Sequence, residues 1–139
     1  MEYARHVAGI RTAAHEEYAT GGTDFVISRL VCSLADQVHS VTIFPGTKTF
    51  QAYGKYHVDE AFRCNYGLNP NYREAIIKNP LMIAGEDEEK AVRIIELSDH
   101  PFYIATLFLP QLSSNPRKPH PLVTAFLKAA LAFHHQSGR

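Results

Sequence analysis

Ala91–Leu109 reads AVRIIELSDHPFYIATLFL, and this stretch decides the fold. Ala91–Leu97 is read as a strand. Phe102–Leu109 is a near-continuous apolar run, the pattern expected of a central strand buried on both faces. Between them, Ser98-Asp99-His100-Pro101 makes a tight connection. The upstream strand candidates, short and close in sequence, are expected to pair antiparallel, because a parallel pair needs a longer crossover.

Upstream, Asp24–Leu34, Ser40–Phe44, Thr47–Tyr53 and Glu60–Leu68 read as further short strands, with Pro45-Gly46 as turn chemistry. Asn71–Lys78 reads as a short helix, capped by Asn71 with Glu74 three residues on and stopped by Pro80. Gly85 breaks the apolar run Leu81–Ala84, and Glu86–Lys90 reads as a solvated charged turn. The chain opens on a predicted helix, Glu2–Ala14, with Tyr3, Val7 and Ile10 in helical spacing. Thr20-Gly21-Gly22-Thr23 marks a turn without the Gly-Lys-Ser/Thr spacing of a phosphate loop. Ser113–Pro121 is a proline-rich loop, and a last helix starts near Pro121. Leu122, Phe126, Ala129, Ala130 and Phe133 are expected to line its buried face, and His134 and His135 suit its C-terminal dipole.

The chain has 139 residues, enough for one domain with a core of its own at 45% hydrophobic content. Its 14 Lys and Arg balance its 14 Asp and Glu, and the basic residues form no stripe, so no nucleic acid is expected as partner. No apolar run reaches membrane-spanning length, and the N-terminus lacks the apolar stretch of a secretory signal, so no membrane partner is expected. Two cysteines make no disulfide framework, and a cytoplasmic setting follows as the default expectation.

Ile95–Thr106 resembles the IELPDHPFFVAT stretch of CTP synthase, and Pro116–Leu122 is similar to that family's RPLRPHPL loop. Glu60–Pro70 aligns without gaps on the family's ERHRHRYEVNP strand, keeping Glu60, Arg63, Tyr66, Asn69 and Pro70. Glu2–Val7 resembles the EFARNV helix that follows the family's catalytic cysteine. The resemblance is to the C-terminal, class I glutamine amidotransferase domain, and more narrowly to stand-alone proteins related to that region. It implies an α/β fold: a partial class I glutamine amidotransferase, the C-terminal half, with a mixed sheet and flanking helices. Residues 1–139 are then expected to form a single truncated domain lacking the N-terminal strands and the nucleophile elbow.

The family attacks glutamine with a cysteine, uses a histidine as base and acid, orients it with a glutamate, and passes on ammonia for CTP formation in pyrimidine biosynthesis. The resemblance puts the cysteine upstream of Met1. It puts Leu109 at the histidine position and Gln111 at the glutamate position, within Phe108-Leu109-Pro110-Gln111. Leucine cannot accept or deliver a proton. On the glutamine-binding strand Arg63 and Tyr66 persist as vestiges, while Asn65 replaces the arginine that faces the substrate carboxylate. No catalytic residue is therefore assigned, and the chain is expected to be a pseudoenzyme.

Cys32 and Cys64 lie in apolar, strand-like sequence without an elbow, which favours buried structural roles. The eight histidines show no His-x-x-x-His or Cys-x-x-Cys pair, so no metal and no cofactor are expected. His100 and His120 are expected to hydrogen-bond neighbouring backbone in their turns, and Arg117-Lys118 to form a solvated loop. The expected partner is a glutamine-like small molecule or a protein. The expected state is a homo-oligomer or a chain dependent on a missing N-terminal half, because uncovered edges and helix faces associate. Two alternatives stay open: a fragment of a longer protein with different chemistry, and a glutaminase supplying ammonia for CTP with a histidine borrowed from elsewhere, such as His100 or His57.

Overall fold

The computed structural model describes residues 1–19 and 23–137. In chain order the elements are α1 (Glu2–His6), β1 (Ala13–His15), β2 (Asp24–Arg29), β3 (Gln37–Ile43), α2 (Lys48–Tyr53) and β4 (His57–Phe62). Then follow β5 (Tyr66–Leu68), α3 (Arg73–Ile76), β6 (Leu81–Glu86), β7 (Val92–Leu97), β8 (Ile104–Thr106) and α4 (Pro121–Ser137). Among the described residues the strands form two sheets, an antiparallel one in the order β4-β3-β6-β7-β8 and a mixed one in the order β1-β2-β5. This is the α/β architecture with a mixed sheet and flanking helices that the resemblance implies.

The larger sheet follows the two-residue period of side chains. Along β3, Val41 and Ile43 point inward, and along β4 Glu60 and Phe62 do so. They meet Leu34, Ala84, Ile94, Phe108 and Leu122 in the main core. A Cβ at Gly85 would stand 2.9 Å from the Ile94 side chain and 3.1 Å from that of Val41, so any larger residue would have to displace the packed Ile94. The strand accordingly runs through Gly85 with a bulge, where the sequence predicts a break. A second core joins Ala4, Ala13, Val26, Ile76 and Leu81 beneath the smaller sheet. There Asp24 accepts from the Tyr72 hydroxyl at 2.7 Å and from Thr12. The Thr12 bond, then the Tyr72 bond, hold its carboxyl below the usual aspartate range.

β7 and β8 pair antiparallel, with Ile94 opposite Thr106 and Glu96 opposite Ile104. The expected buried central strand does not: β8 has three residues and lies at the sheet edge. Pro101 and Phe102 belong to the turn, and Phe108 leaves the sheet to plug the main core at 1% exposure. Helix α1 stops at His6 rather than Ala14, and Gly9 turns the chain at φ 76° into β1. β1, not read as a strand in the sequence, pairs parallel with β2, whereas β2 with β5 and β3 with β4 pair antiparallel as expected. Glu60–Leu68 is not one strand but β4 and β5, in different sheets. The helix read at Asn71–Lys78 is a 3-10 turn, Pro70–Tyr72, leading into α3, and its cap is Asn69. Of the charged turn, Glu88, Glu89 and Lys90 are exposed, but Glu86 is buried against Arg73, and Asp87 binds the Arg93 guanidinium at 2.5 Å. The turn at Thr20-Gly21-Gly22-Thr23 lies, apart from Thr23, outside the described residues.

Thr47–Tyr53 is the largest departure, a helix where a strand is predicted. Thr47 caps α2 by accepting from Phe50 N–H at 2.9 Å, and Gly54 ends it at φ 64°. The decisive partner comes from β7. The Glu96 carboxylate, 2% exposed, accepts from Lys48 N–H at 2.9 Å, from Thr49 N–H at 3.0 Å and from the Thr49 hydroxyl at 2.9 Å. A helix N-terminus offers orphan donors and a positive dipole end, and this buried anion answers both. Replacing Glu96 with Ala strands those donors. It should cost about 3 kcal/mol and lower the melting midpoint by roughly 6–12 °C in a circular-dichroism melt.

Candidate functional site

β4 ends in one sheet and β5 begins in the other, so residues 63–65 cross between them. The crossing is pinned by Leu30 N–H to the Asn65 carbonyl at 2.8 Å and Leu34 N–H to the Cys64 carbonyl at 3.2 Å. It opens onto a groove of about 620 Å³ between the two sheets. Arg63, Asn65 and Tyr66 reach this groove together, joined by Cys64, His15 and Glu17. Its floor is apolar, with Val26, Ile94 and Ile95. An open apolar cleft with a few convergent polar groups is the usual form of a small-molecule site.

The structure thus brings Arg63 and Tyr66, the two residues to which the resemblance gives substrate contacts, to one cavity. Arg63 is exposed, and its Nε lies 3.1 Å from Asp36 Oδ1. An exposed pair of this kind holds the guanidinium weakly and leaves it available. Tyr66 packs its ring 5.0 Å from His15. His15 and Glu17 carry no signal of their own in the sequence, where β1 is hidden behind a helical pattern.

Leu109 and Gln111 do not line the groove. Leu109 donates its N–H to the Ala61 carbonyl at 3.2 Å and precedes a 3-10 turn, Pro110–Leu112. Its side chain is half-buried, and Gln111 is exposed within the turn.

The thiols depart from expectation. Cys32 is exposed rather than buried, and Cys64 is half-buried, both outside the strands. The Cys64 thiol donates to the Leu107 carbonyl at 3.2 Å. A nucleophilic thiolate needs a cationic or basic neighbour, and a carbonyl oxygen is the opposite. The nearby imidazole is also committed. His15 Nδ1 accepts from Glu17 N–H at 3.2 Å, which leaves the proton on Nε2 in the neutral ring.

A buried polar network stands behind the loop that carries Leu109. The Tyr53 hydroxyl donates to Glu60 Oε1 at 2.5 Å, and His120 Nε2 lies 2.9 Å from the same oxygen. Leu122 N–H donates to His120 Nδ1 at 3.2 Å, which assigns the Nε2 proton to Glu60. His100 likewise accepts from Phe102 N–H at 3.2 Å. Both turn histidines therefore bond neighbouring backbone, as the sequence predicts. What the sequence does not reveal is Glu60 as the buried anchor of His120, 4% exposed, since no spacing signal links residues 60 and 120. Among the described residues no three His, Cys, Asp or Glu side chains come together as a metal site, and no helix is long and apolar enough to cross a membrane.

Comparison with known proteins agrees with this fold. The chain is 36% identical over 141 residues to the CTP synthase of Carboxydothermus hydrogenoformans, covering 94% of this chain and 26% of that protein. It is 34% identical over 151 residues to the CTP synthase of Trichlorobacter lovleyi, covering 98% of this chain and 27% of that one. The chain therefore spans about a quarter of the length of these relatives. The glutaminase domain of the Trypanosoma brucei CTP synthase, solved with bound acivicin, superposes with a TM-score of 0.84 at 25% identity, over 94% of this chain and 55% of that one. A Thermoplasma acidophilum protein described as part of a GMP synthase shares the fold, with a TM-score of 0.63 at 10% identity over 81% of this chain and 52% of that one. No family profile matches the chain.

The buried network sets an alkaline limit on the fold. Burial first, then the bond to Glu60, push the Tyr53 phenol above its ordinary value of 10.0. The folded state keeps a proton that the unfolded chain releases, so this contribution is complete below pH 10.0 and is lost as pH rises above it. Melting midpoints should fall more steeply above that pH for the native protein than for Tyr53→Phe. At neutral pH the variant should be less stable by about 1–3 kcal/mol, because Glu60 loses a donor.

Proposed function

The chain belongs to the glutaminase-domain family of CTP synthase, and from that premise we propose that it is a non-catalytic member that binds a glutamine-like small molecule in the groove. One observation carries this reading. Leu109, at the position the family resemblance gives to the catalytic histidine, offers only a hydrocarbon side chain and a backbone N–H already bonded to Ala61. No proton can be taken up there, and Gln111 has no imidazole to orient.

The groove supports no substitute pair. Amide hydrolysis by a thiol needs a base within about 3 Å that can remove its proton. Cys64 donates to a carbonyl, and the accepting nitrogen of His15 is occupied by Glu17 N–H. Binding is better supported than turnover. Arg63 can offer a charge-assisted contact to a carboxylate, Tyr66 supplies a ring and a hydroxyl, and the apolar floor accepts a short aliphatic chain. Asn65 lacks the second guanidinium, so the affinity should be modest. A regulatory role beside pyrimidine nucleotide biosynthesis, in the cytoplasm, belongs to the same reading.

Purified protein incubated with L-glutamine should release no ammonia above a buffer blank in a glutamate dehydrogenase-coupled assay. Glutamine-dependent release that scales with protein concentration overturns the non-catalytic assignment and favours the glutaminase alternative. Titration calorimetry with glutamine should show saturable binding, weakened about tenfold by Arg63→Ala, the worth of one charge-assisted hydrogen bond. Absence of any heat at saturating glutamine would remove the ligand assignment.

A further inference from the structure

The faces of helix α4 are put to different uses. Leu122, at 6% exposure, enters the main core, and Thr124, Ala125 and Ala129 line a cleft shared with Gln51 and Ala52 of α2. The expected buried stripe of Leu122, Phe126, Ala129, Ala130 and Phe133 is therefore divided. Leu122 and Ala129 turn inward, while Phe126, Ala130 and Phe133 are exposed. The cleft holds about 510 Å³, a volume usual for a small-molecule site. No residue that lines it also lines the groove between the sheets. Two of its walls are α2 and α4, and the third is the turn at Pro101 and Phe102.

The charge of this cleft is one-sided. Lys48 and Lys128 line it, and no Asp or Glu does. The Lys48 ammonium is fixed to the wall by the Leu97 and Ser98 carbonyls, at 3.1 and 2.8 Å, which uses two of its three donors. Among the described residues no carboxylate forms an ion pair with either lysine. Glu96 accepts the Lys48 backbone N–H, but its carboxylate is buried and does not line the cleft, and neither does Asp99 of the turn. Helix α4 has no acidic residue to pair with Lys128. The Gln51 amide, the Thr124 hydroxyl and the Lys128 ammonium also make no side-chain hydrogen bond among the described residues. The cleft thus presents two positive charges and a surplus of donors.

We infer that it binds a small phosphate monoester, with the phosphate between Lys48 and Lys128 and the organic part against Pro101 and Phe102. A phosphate monoester carries about −1.5 to −2 charge at neutral pH and three strong acceptor oxygens. That matches two ammonium groups, the Thr124 hydroxyl and the Gln51 amide, whereas a monocarboxylate would leave one ammonium unneutralised. Lysine serves such a ligand as a point charge, without the planar fork that favours carboxylates. The organic part meets a settled apolar wall, because the Phe102 ring is held edge-on to Phe126 at 5.6 Å. An apolar protein segment laid over the cleft would bury both ammonium groups without an acceptor, a cost that a dianion removes.

Titration calorimetry of the purified chain with phenyl phosphate at low salt should show saturable binding at one site. Inorganic phosphate should bind several-fold more weakly, because it gains nothing from Phe102. Lys128→Ala should weaken phenyl phosphate about tenfold, the worth of one charge-assisted contact, and Lys128→Glu should abolish binding. Lys128 is exposed, so both variants should keep their far-UV circular dichroism and melting midpoint. Saturating L-glutamine and Arg63→Ala should leave the titration unchanged, because the groove is a separate site. The inference is overturned by absence of saturable heat with phenyl phosphate, by unchanged affinity in Lys128→Glu, by equal affinity for inorganic phosphate, or by displacement with glutamine.

Discussion

The position of the Glu96 carboxylate governs much of the rest of the structure. It sits on β7, inside the larger sheet, and it accepts three hydrogen bonds from the first turn of α2. Burying an anion costs far more than burying a hydroxyl, unless donors surround it. The orphan N–H groups of a helix start are such donors, so sheet and helix each satisfy what the other leaves open. The Lys48 ammonium adds bonds to the Leu97 and Ser98 carbonyls, at 3.1 and 2.8 Å, which extends the joint to the end of β7. With α2 so placed, its far end sets Tyr53 against Glu60 and His120, and that second network ties β4 to the loop before α4. Glu96 and Glu60 are thus two buried carboxylates linking helices to the same sheet.

This chain of dependence also explains what the sequence reveals and what it hides. The β7 strand, the turn through His100, the start of α4 at Pro121 and the backbone bond of His120 are all legible, because each rests on residues adjacent in the chain. Helix α2 is not. TKTFQAY has the loose alternation of a strand, and its local signals, Thr47 as cap and Gly54 as stop, are outweighed until Glu96 is seen. Phe102–Leu109 misleads for a related reason. An apolar run shows that side chains will be buried, not whether the backbone stays in the sheet while burying them. Here Phe108 is buried by leaving it. The division of α4 is equally hidden, since helical spacing shows that a stripe exists but not where its neighbours stand.

The candidate site is legible by a different route. Arg63 and Tyr66 can be named only through family resemblance, and the structure adds that they share one groove with His15 and Glu17. Nothing in their spacing announces this, because β1 reaches the groove through a parallel pairing with β2. The cysteines show the limit of reading burial from composition. An apolar neighbourhood in sequence leaves Cys32 exposed, since of residues 31–34 Leu34 alone turns into the core.

The contrast between the two carboxylates and the two positions that the resemblance makes catalytic has a physical basis. Removing Glu60 or Glu96 leaves buried donors without an acceptor, a penalty borne by the whole fold. Leu109 and Gln111 sit at a surface turn, where the backbone makes the structural bond and the side chains are half-buried or exposed. Leucine satisfies that backbone requirement as well as histidine would, and its side chain gains partial burial without needing a partner. The side chains at residues 109 and 111 can therefore vary while the architecture is kept. Losing Glu96 carries the larger cost, because three donors at the start of α2 then lose their acceptor. A scaffold relieved of catalysis would be expected to change first where side chains serve the reaction alone, and on the reading proposed above Leu109 and Gln111 occupy such places.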